Sequence, residues 1–167
     1  VLASCGRIDP ESIDDAVAHG AYSQLQRVLT EMTPAEVREE VKRSGLRGRG
    51  GAGYPTGLKW DTVALQPPGP RALVCNADEG DPGAFMDRSI LEADPHAVIE
   101  GMIIGASAIG ANEGWIYVRD EYPLAVVNLT IAIREQGTCR GWIGTGEPGL
   151  REEDLGGSFL GVGEGDV

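Results

Sequence analysis

Two stretches of this chain carry residue types that do chemistry at close spacing. The first, SGLRGRGGAGYPTGLKW (Ser44 to Trp60), packs six glycines among Arg47, Arg49 and Lys59. Glycines let consecutive backbone N–H groups approach an anion without a Cβ in the way, and they accept the positive φ angles of an anion-binding nest. Arg49 and Lys59 add positive charge to such a cradle, and Tyr54 adds a flat ring. Within it, Gly48–Gly53 (GRGGAG) meets the G-x-G-x-x-G dinucleotide pattern, which has meaning only between a strand and a helix. Here a helix is expected before the glycines, and Tyr54-Pro55-Thr56-Gly57 is expected to resist helix continuation. No Gly-Lys-Ser/Thr follows, which excludes the triphosphate P-loop. A flexible linker is the plain alternative, but linkers rarely carry Arg, Tyr, Pro, Lys and Trp at this density.

The second stretch is CNADEGDPGAFMDR, Cys75 to Arg88, with Asp78, Glu79 and Asp81 within four residues. A solvated acidic loop and an oxygen-ligand metal site are both open readings, although EF-hand spacing is missing. Carboxylates and the Asn76 amide also suit ribose hydroxyls and the polar edge of a heterocycle. A cationic glycine loop and a polar acidic loop together fit a nucleotide, with phosphate in one and sugar or ring in the other.

The rest of the chain limits the alternatives. Its 167 residues fit one domain, with 14 Lys and Arg against 26 Asp and Glu and a formal charge of −12. Such acidity argues against nucleic acid or anionic membrane as partner. Six of the fourteen basic residues nevertheless fall between Arg38 and Lys59, a local cationic site that suggests a small anion. The apolar runs are too interrupted to span a bilayer, no secretory leader is written at the start, and a cytoplasmic location is expected. Cys5, Cys75 and Cys139 form no C-x-x-C pair and read as reduced thiols; His19 and His96 read as structural residues on helices.

These loops need elements to hold them. Asp9 and Pro10 suggest a helix start that Gly20 stops, followed by helix from Ala21 to Glu31. Thr33-Pro34-Ala35-Glu36 fits a capping box opening a helix that Gly45 ends. Arg71–Cys75 reads as a buried strand, Asp94-Pro95 as the start of a helix, Trp115–Arg119 as a second strand and Pro123 as the start of a final helix. Gly101, Gly105, Ala106 and Ala108 would let the middle helix pack closely on a sheet. Strand, loop, helix, strand, helix is the grammar of a parallel sheet covered by helices, and its ligands sit beyond the carboxyl ends of the strands. After Gln136 the periodicity fades, ten glycines fall in 31 residues, and irregular chain is expected.

Both motifs, together with CGRIDPESIDDAVAHGAYSQL, TEMTPAEVREEVKRSGLRGRGG and WIYVRDEYPLA, closely resemble the FMN- and NADH-binding flavoprotein subunits of respiratory complex I. Their relatives serve NAD-reducing or bifurcating hydrogenases and NAD-dependent formate dehydrogenases. The likeness runs from about residue 5 to residue 136. It implies an α/β fold: an N-terminal helical segment (1–45), then a Rossmann-like parallel βαβ flavin-binding domain (46–136) that is incomplete at the C-terminus, then a divergent Gly-rich tail (137–167). It further implies that Gly48, Arg49, Gly50, Gly51 and Lys59 line the FMN phosphate and ring, and that Asn76, Asp78 and Glu79 hydrogen-bond the flavin. Tyr54, Lys59 and Asp81 would lie against NADH.

The implied chemistry is hydride transfer from nicotinamide C4 to flavin N5, then single-electron transfer to iron–sulfur clusters on partner chains or further domains. Expected partners are a thioredoxin-like [2Fe–2S] subunit and the iron–sulfur subunits of a hydrogenase, a formate dehydrogenase or complex I. The family continues past its YPLA helix to a GAGAYVCGEETAL-type segment with paired glutamates, and then to a four-cysteine cluster domain. Neither is written in this sequence. A non-catalytic paralogue, acting as an assembly or nucleotide-binding subunit, is therefore the alternative expectation.

Overall fold

A computed structural model describes residues 2–136 together with the strands at 141–144 and 160–163. The chain opens with three helices: α1 (Ile13–Ala18), α2 (Ser23–Glu31) and α3 (Pro34–Ser44). The start of α1 differs from expectation. Asp9 and Pro10 lie in a turn, in which the Asp9 carboxylate accepts from Glu11 N–H, and Ser12 caps the helix by accepting from Asp15 N–H. Thr33 does close α3 with Glu36 in a reciprocal capping box, and Gly45 ends the helix at φ 69°. A cap of this kind contributes about 1 kcal/mol.

The glycine loop then leads into α4 (Thr56–Ala64), which corrects the expectation that Tyr54–Gly57 would resist a helix. Pro55 is extended at φ −62° and ψ 119°, serves as the residue before the first turn, and needs no N–H there. β1 runs Ala72–Ala77, so Asn76 belongs to the strand and not to the loop after it. α5 (Met86–Ala93) was not legible from the sequence; α6 (Pro95–Ile109) begins where expected, with Asp94 accepting from Ala97 N–H. β2 is Glu113–Val118, leaving Arg119 just past its end, and α7 is Pro123–Gln136.

β1 and β2 pair in parallel, from Ala72 opposite Glu113 to Ala77 opposite Val118. Two further parallel strands, β3 (Gly141–Gly144) and β4 (Leu160–Gly163), complete the order β1-β2-β4-β3. Within those eight residues the expectation of irregular chain is therefore wrong; Trp142-Ile143 and Leu160-Gly161-Val162 are short apolar runs among glycines, which pair although they are too brief to show periodicity. The rest of that tail lies outside the described residues.

The main core forms where α5, α6 and α7 meet the sheet, around Leu91, Ile99, Ile116, Val118, Ala125 and Leu129. A second cluster joins Val28 of α2, Val37 of α3 and Ala108 of α6, with Trp60 of α4 against it. Gly105 is what lets these layers touch: a Cβ there would lie 2.7 Å from Leu73 and 3.0 Å from Trp60. Gly101 has open space instead and contributes no close approach. Among the described residues no helix is long and apolar enough to cross a membrane.

Candidate functional site

The glycine loop is a closed turn rather than a loose tether. Gly48 N–H donates to Tyr54 O at 2.9 Å, Thr56 N–H donates to Leu46 O at 2.9 Å, and Arg47 pairs with Pro55 across the base. The Arg47 guanidinium ties the loop from within by donating to Gly53 O at 2.9 Å. Inside this frame Gly51 (φ 94°) and Gly53 (φ 58°) take the left-handed conformations that a Cβ disfavours. Among the described residues, the N–H groups of Arg49, Gly50, Gly51, Ala52 and Gly53 donate to no protein acceptor. A Cβ built on Gly50, Gly51 or Gly53 meets nothing within 4 Å. Five successive free donors around open space are the features an anion nest requires.

Behind the loop, α3 and α4 are locked together by charge. Asp61 accepts from Arg38 Nε at 2.9 Å and pairs with Lys42 Nζ at 2.8 Å. The carboxyl of Asp61 is held low by Lys42 and then Arg38, and the Lys42 ammonium is raised by Asp61 and then Glu39. Gly57 sits so close to α3 that a Cβ would fall 2.5–2.9 Å from Lys42 Cγ, N and Cα. The loop is thus hung from a rigid pair of helices. Tyr54 stands 54% exposed beside it, and Lys59 projects from the first turns of α4.

The acidic loop begins at the carboxyl end of β1. Asn76 Oδ1 accepts from Asp78 N–H at 3.0 Å, which turns the chain out of the strand. The Glu79 carboxylate reaches ahead to α5 and accepts from Met86, Asp87 and Arg88 N–H at 2.9, 3.1 and 3.3 Å. It serves as the cap of a helix whose N-cap residue, Phe85, offers no side-chain bond. Asp87 is raised above the usual carboxylate range, by burial and then by the Glu79 charge. Burial, with Asp87 second, pushes the Cys75 thiol up to about 11. Asp81 lies in a turn whose carbonyl accepts from Ala84 N–H at 3.0 Å.

The sequence-predicted residues therefore fall into two groups. Gly48, Arg49, Gly50, Gly51, Tyr54 and Lys59 belong to the glycine loop and the helix it enters; Asn76, Asp78, Glu79 and Asp81 belong to the turn after β1. Among the described residues no hydrogen bond or ion pair links the groups directly. The carboxyl end of α4 meets the start of β1, where Arg71 Nη2 donates to Ala64 O and Gln66 O. α4 packs on α6 through Trp60, which lies with Leu73 of β1 against Gly105. Sequence reasoning missed Arg119 and Tyr122, whose bonds to the acidic loop only the strand register reveals.

The arrangement defines a parallel α/β module with an exposed glycine loop ahead of its first strand and a polar turn at that strand's carboxyl end. Its family follows from comparison: residues 41–145 match the Nuo51 FMN-binding domain (Complex1_51K), and the chain belongs to that family. It is 59% identical over 137 residues to the NADP-reducing hydrogenase subunit HndC of Solidesulfovibrio fructosivorans, covering 80% of this chain and 28% of that protein. Against an NADH-quinone oxidoreductase subunit of Aquifex aeolicus (strain VF5) the identity is 52% over 133 residues, covering 80% and 30%. A chain of the NAD+-reducing [NiFe]-hydrogenase in the H2-reduced state superposes with a TM-score of 0.65 at 35% identity, covering 79% of this chain and 21% of that one. The sequence thus spans less than a third of these relatives.

Proposed function

We propose that this chain supplies the FMN-holding portion of a flavoprotein subunit that passes electrons between NAD(P)H and iron–sulfur clusters. The observation that carries the reading is the run of free amides from Arg49 to Gly53 around open space, in a member of a family named for FMN binding. The residues fit the group. The nest and the Arg49 guanidinium suit a phosphate, Lys59 adds charge at the first turns of α4, and Asn76 and Asp78 offer polar groups to a ring edge. Tyr54, exposed beside the nest, and Asp81 are the residues we assign to NADH.

FMN, when bound, supplies the conversion between two-electron and one-electron transfer. This chain's own residues bind and orient: the tied base of the glycine loop fixes the direction of its amides before any ligand arrives, which lowers the ordering cost of binding. Asn76 holds the first turn after β1, so the polar edge presented there is also set in advance. The same reading carries a cytoplasmic location and partners bearing iron–sulfur clusters, a thioredoxin-like [2Fe–2S] subunit among them.

The test is a titration of the purified protein with FMN, followed by its visible absorbance with and without NADH. Gly50→Val is the informative variant, because nothing lies within 4 Å of the added Cβ and the fold should tolerate it. We expect wild-type protein to bind FMN and the variant to bind it at least about tenfold more weakly, at unchanged thermal midpoint. Wild-type protein that takes up no FMN would leave only a role in assembly.

A further inference from the structure

Arg119 follows the end of β2 in a position that the strand register makes special. Ala77 lies opposite Val118, so Arg119 is the first residue past the ladder on one strand, and Asp78 the first on the other. Its guanidinium crosses that gap. Nη1 donates to the Glu79 carbonyl at 3.0 Å, and Nε lies 3.7 Å from the Asp78 carboxylate. Nε and Nη2 together grip Glu121 at 2.7 and 2.9 Å. Tyr122 is 4% exposed and lies beneath: its ring faces Arg119 at 5.9 Å and Arg88 of α5 at 5.3 Å, and its hydroxyl points to the same Glu79 carbonyl at 3.5 Å.

Glu79 is thus fixed from different sides, once through its side chain and once through its backbone. The Glu79 carboxylate is held by the amides of α5, and the Glu79 carbonyl by Arg119. The turn bearing Asn76 and Asp78 runs directly into this anchored residue. This loop carries Asp78, Glu79 and Asp81, with Asp87 close by, and such a run of like charge would spread apart unless a cation were set into it. Arg119 is that cation, and its planar fork satisfies a carbonyl and carboxylates at once, which an ammonium cannot do.

We propose that Arg119, braced on Tyr122, is the positioning residue of the acidic loop: it sets the Asn76–Glu79 turn in its ligand-ready form before a flavin binds. This rests on the assignment of that turn to FMN, and the two ideas are tested apart. Amide hydrogen exchange of the FMN-free protein tests the clamp alone. In Arg119→Met we expect exchange at Asp78 and at Met86–Arg88, the amides held by Asn76 and Glu79, to quicken about tenfold, the loss of one charge-assisted hydrogen bond, while the buried amides of α6 stay unchanged. Arg119→Lys should give an intermediate effect, and Glu121→Gln, which leaves both loop contacts of Arg119 in place, should give none.

FMN and riboflavin titrations test the coupling to ligand. Arg119→Met should weaken both by about the same factor, whereas Gly50→Val should weaken FMN and spare riboflavin, because only FMN carries the phosphate. Unchanged exchange at Asp78 and Met86–Arg88 in Arg119→Met would overturn the proposal whatever the flavin data. Faster exchange without any flavin binding by wild-type protein would keep the clamp and refute the flavin assignment. Should Arg119→Met fail to fold, Arg119→Lys decides alone: local quickening supports the proposal, and wild-type exchange overturns it.

Discussion

Glu79 and Cys75 show how much a single side chain's surroundings can reverse what its type suggests. An acidic residue after a strand reads as a ligand-facing group, yet the Glu79 carboxylate is occupied with three amides of α5. Nothing local in the sequence marks this, because the cap stands seven residues ahead of the helix it closes. Asn76 was legible as a polar group near the strand end but not as the acceptor that turns the chain, and Arg119 was not legible, since its role depends on which residue the register sets opposite. Cys75 sits half-buried on β1 against the core, with its thiol raised to about 11 by burial and then Asp87. Thiolate is the reacting species, so at pH 8 native Cys75 should alkylate with iodoacetamide about a hundredfold more slowly than in the urea-unfolded chain. Mass mapping of the Cys75 peptide reads this directly, and equal rates in the two states would show that the thiol is neither buried nor near a carboxylate.

Helices and strands were read with uneven success, and the reason lies in where each finds its end groups. α3 carries its capping box and its terminal Gly45 within its own sequence, and α6 carries Asp94-Pro95. α5 and the start of α4 carry no such signature; Pro55 reads as a breaker until its extended backbone makes it the entry to a helix. Helical glycines divide in the same way. In Gly57→Ala the new Cβ would meet Lys42 backbone atoms that cannot move aside, so urea denaturation should show a loss of roughly 1–3 kcal/mol. Gly101→Ala, in open space on the exposed side of α6, should be neutral or stabilise by up to about 1 kcal/mol. Equal effects at the two sites would mean that α3 and α4 do not pack as described.

At the scale of the whole molecule, His96 is the group that senses whether the layers are assembled. It is buried at the start of α6, its Nδ1 lies 2.8 Å from Tyr22 Oη, and Nε2 has no partner among the described residues. Burial holds its imidazole below the ordinary 6.5, although Glu135 of α7 and then Asp94 pull it upward. An unfolded chain takes up a proton at this residue as pH falls below 6.5, and the folded one resists. The stability His96 confers is therefore complete above pH 6.5 and is lost as pH falls toward its depressed value. Thermal midpoints measured between about pH 7.5 and 5.5 should decline in the wild type and be flatter in His96→Gln; parallel profiles would place the titrating group elsewhere.

The helix starts bear on how the chain comes together. The amino ends of α1, α2 and α5 each take a carboxylate from far away in sequence or from the preceding loop: Glu135 for Ile13, Glu100 for Gln24 and Leu25, Glu79 for Met86 to Arg88. Short coils of six to nine residues are poor at nucleating alone. α2 and α5 draw their starting signal from outside their own span, and α1 adds the distant Glu135 to its local Ser12 cap. Collapse must accordingly precede, or accompany, their winding, and excised peptides of α2 or α5 would wander as random chain where that of α3 retains some coil.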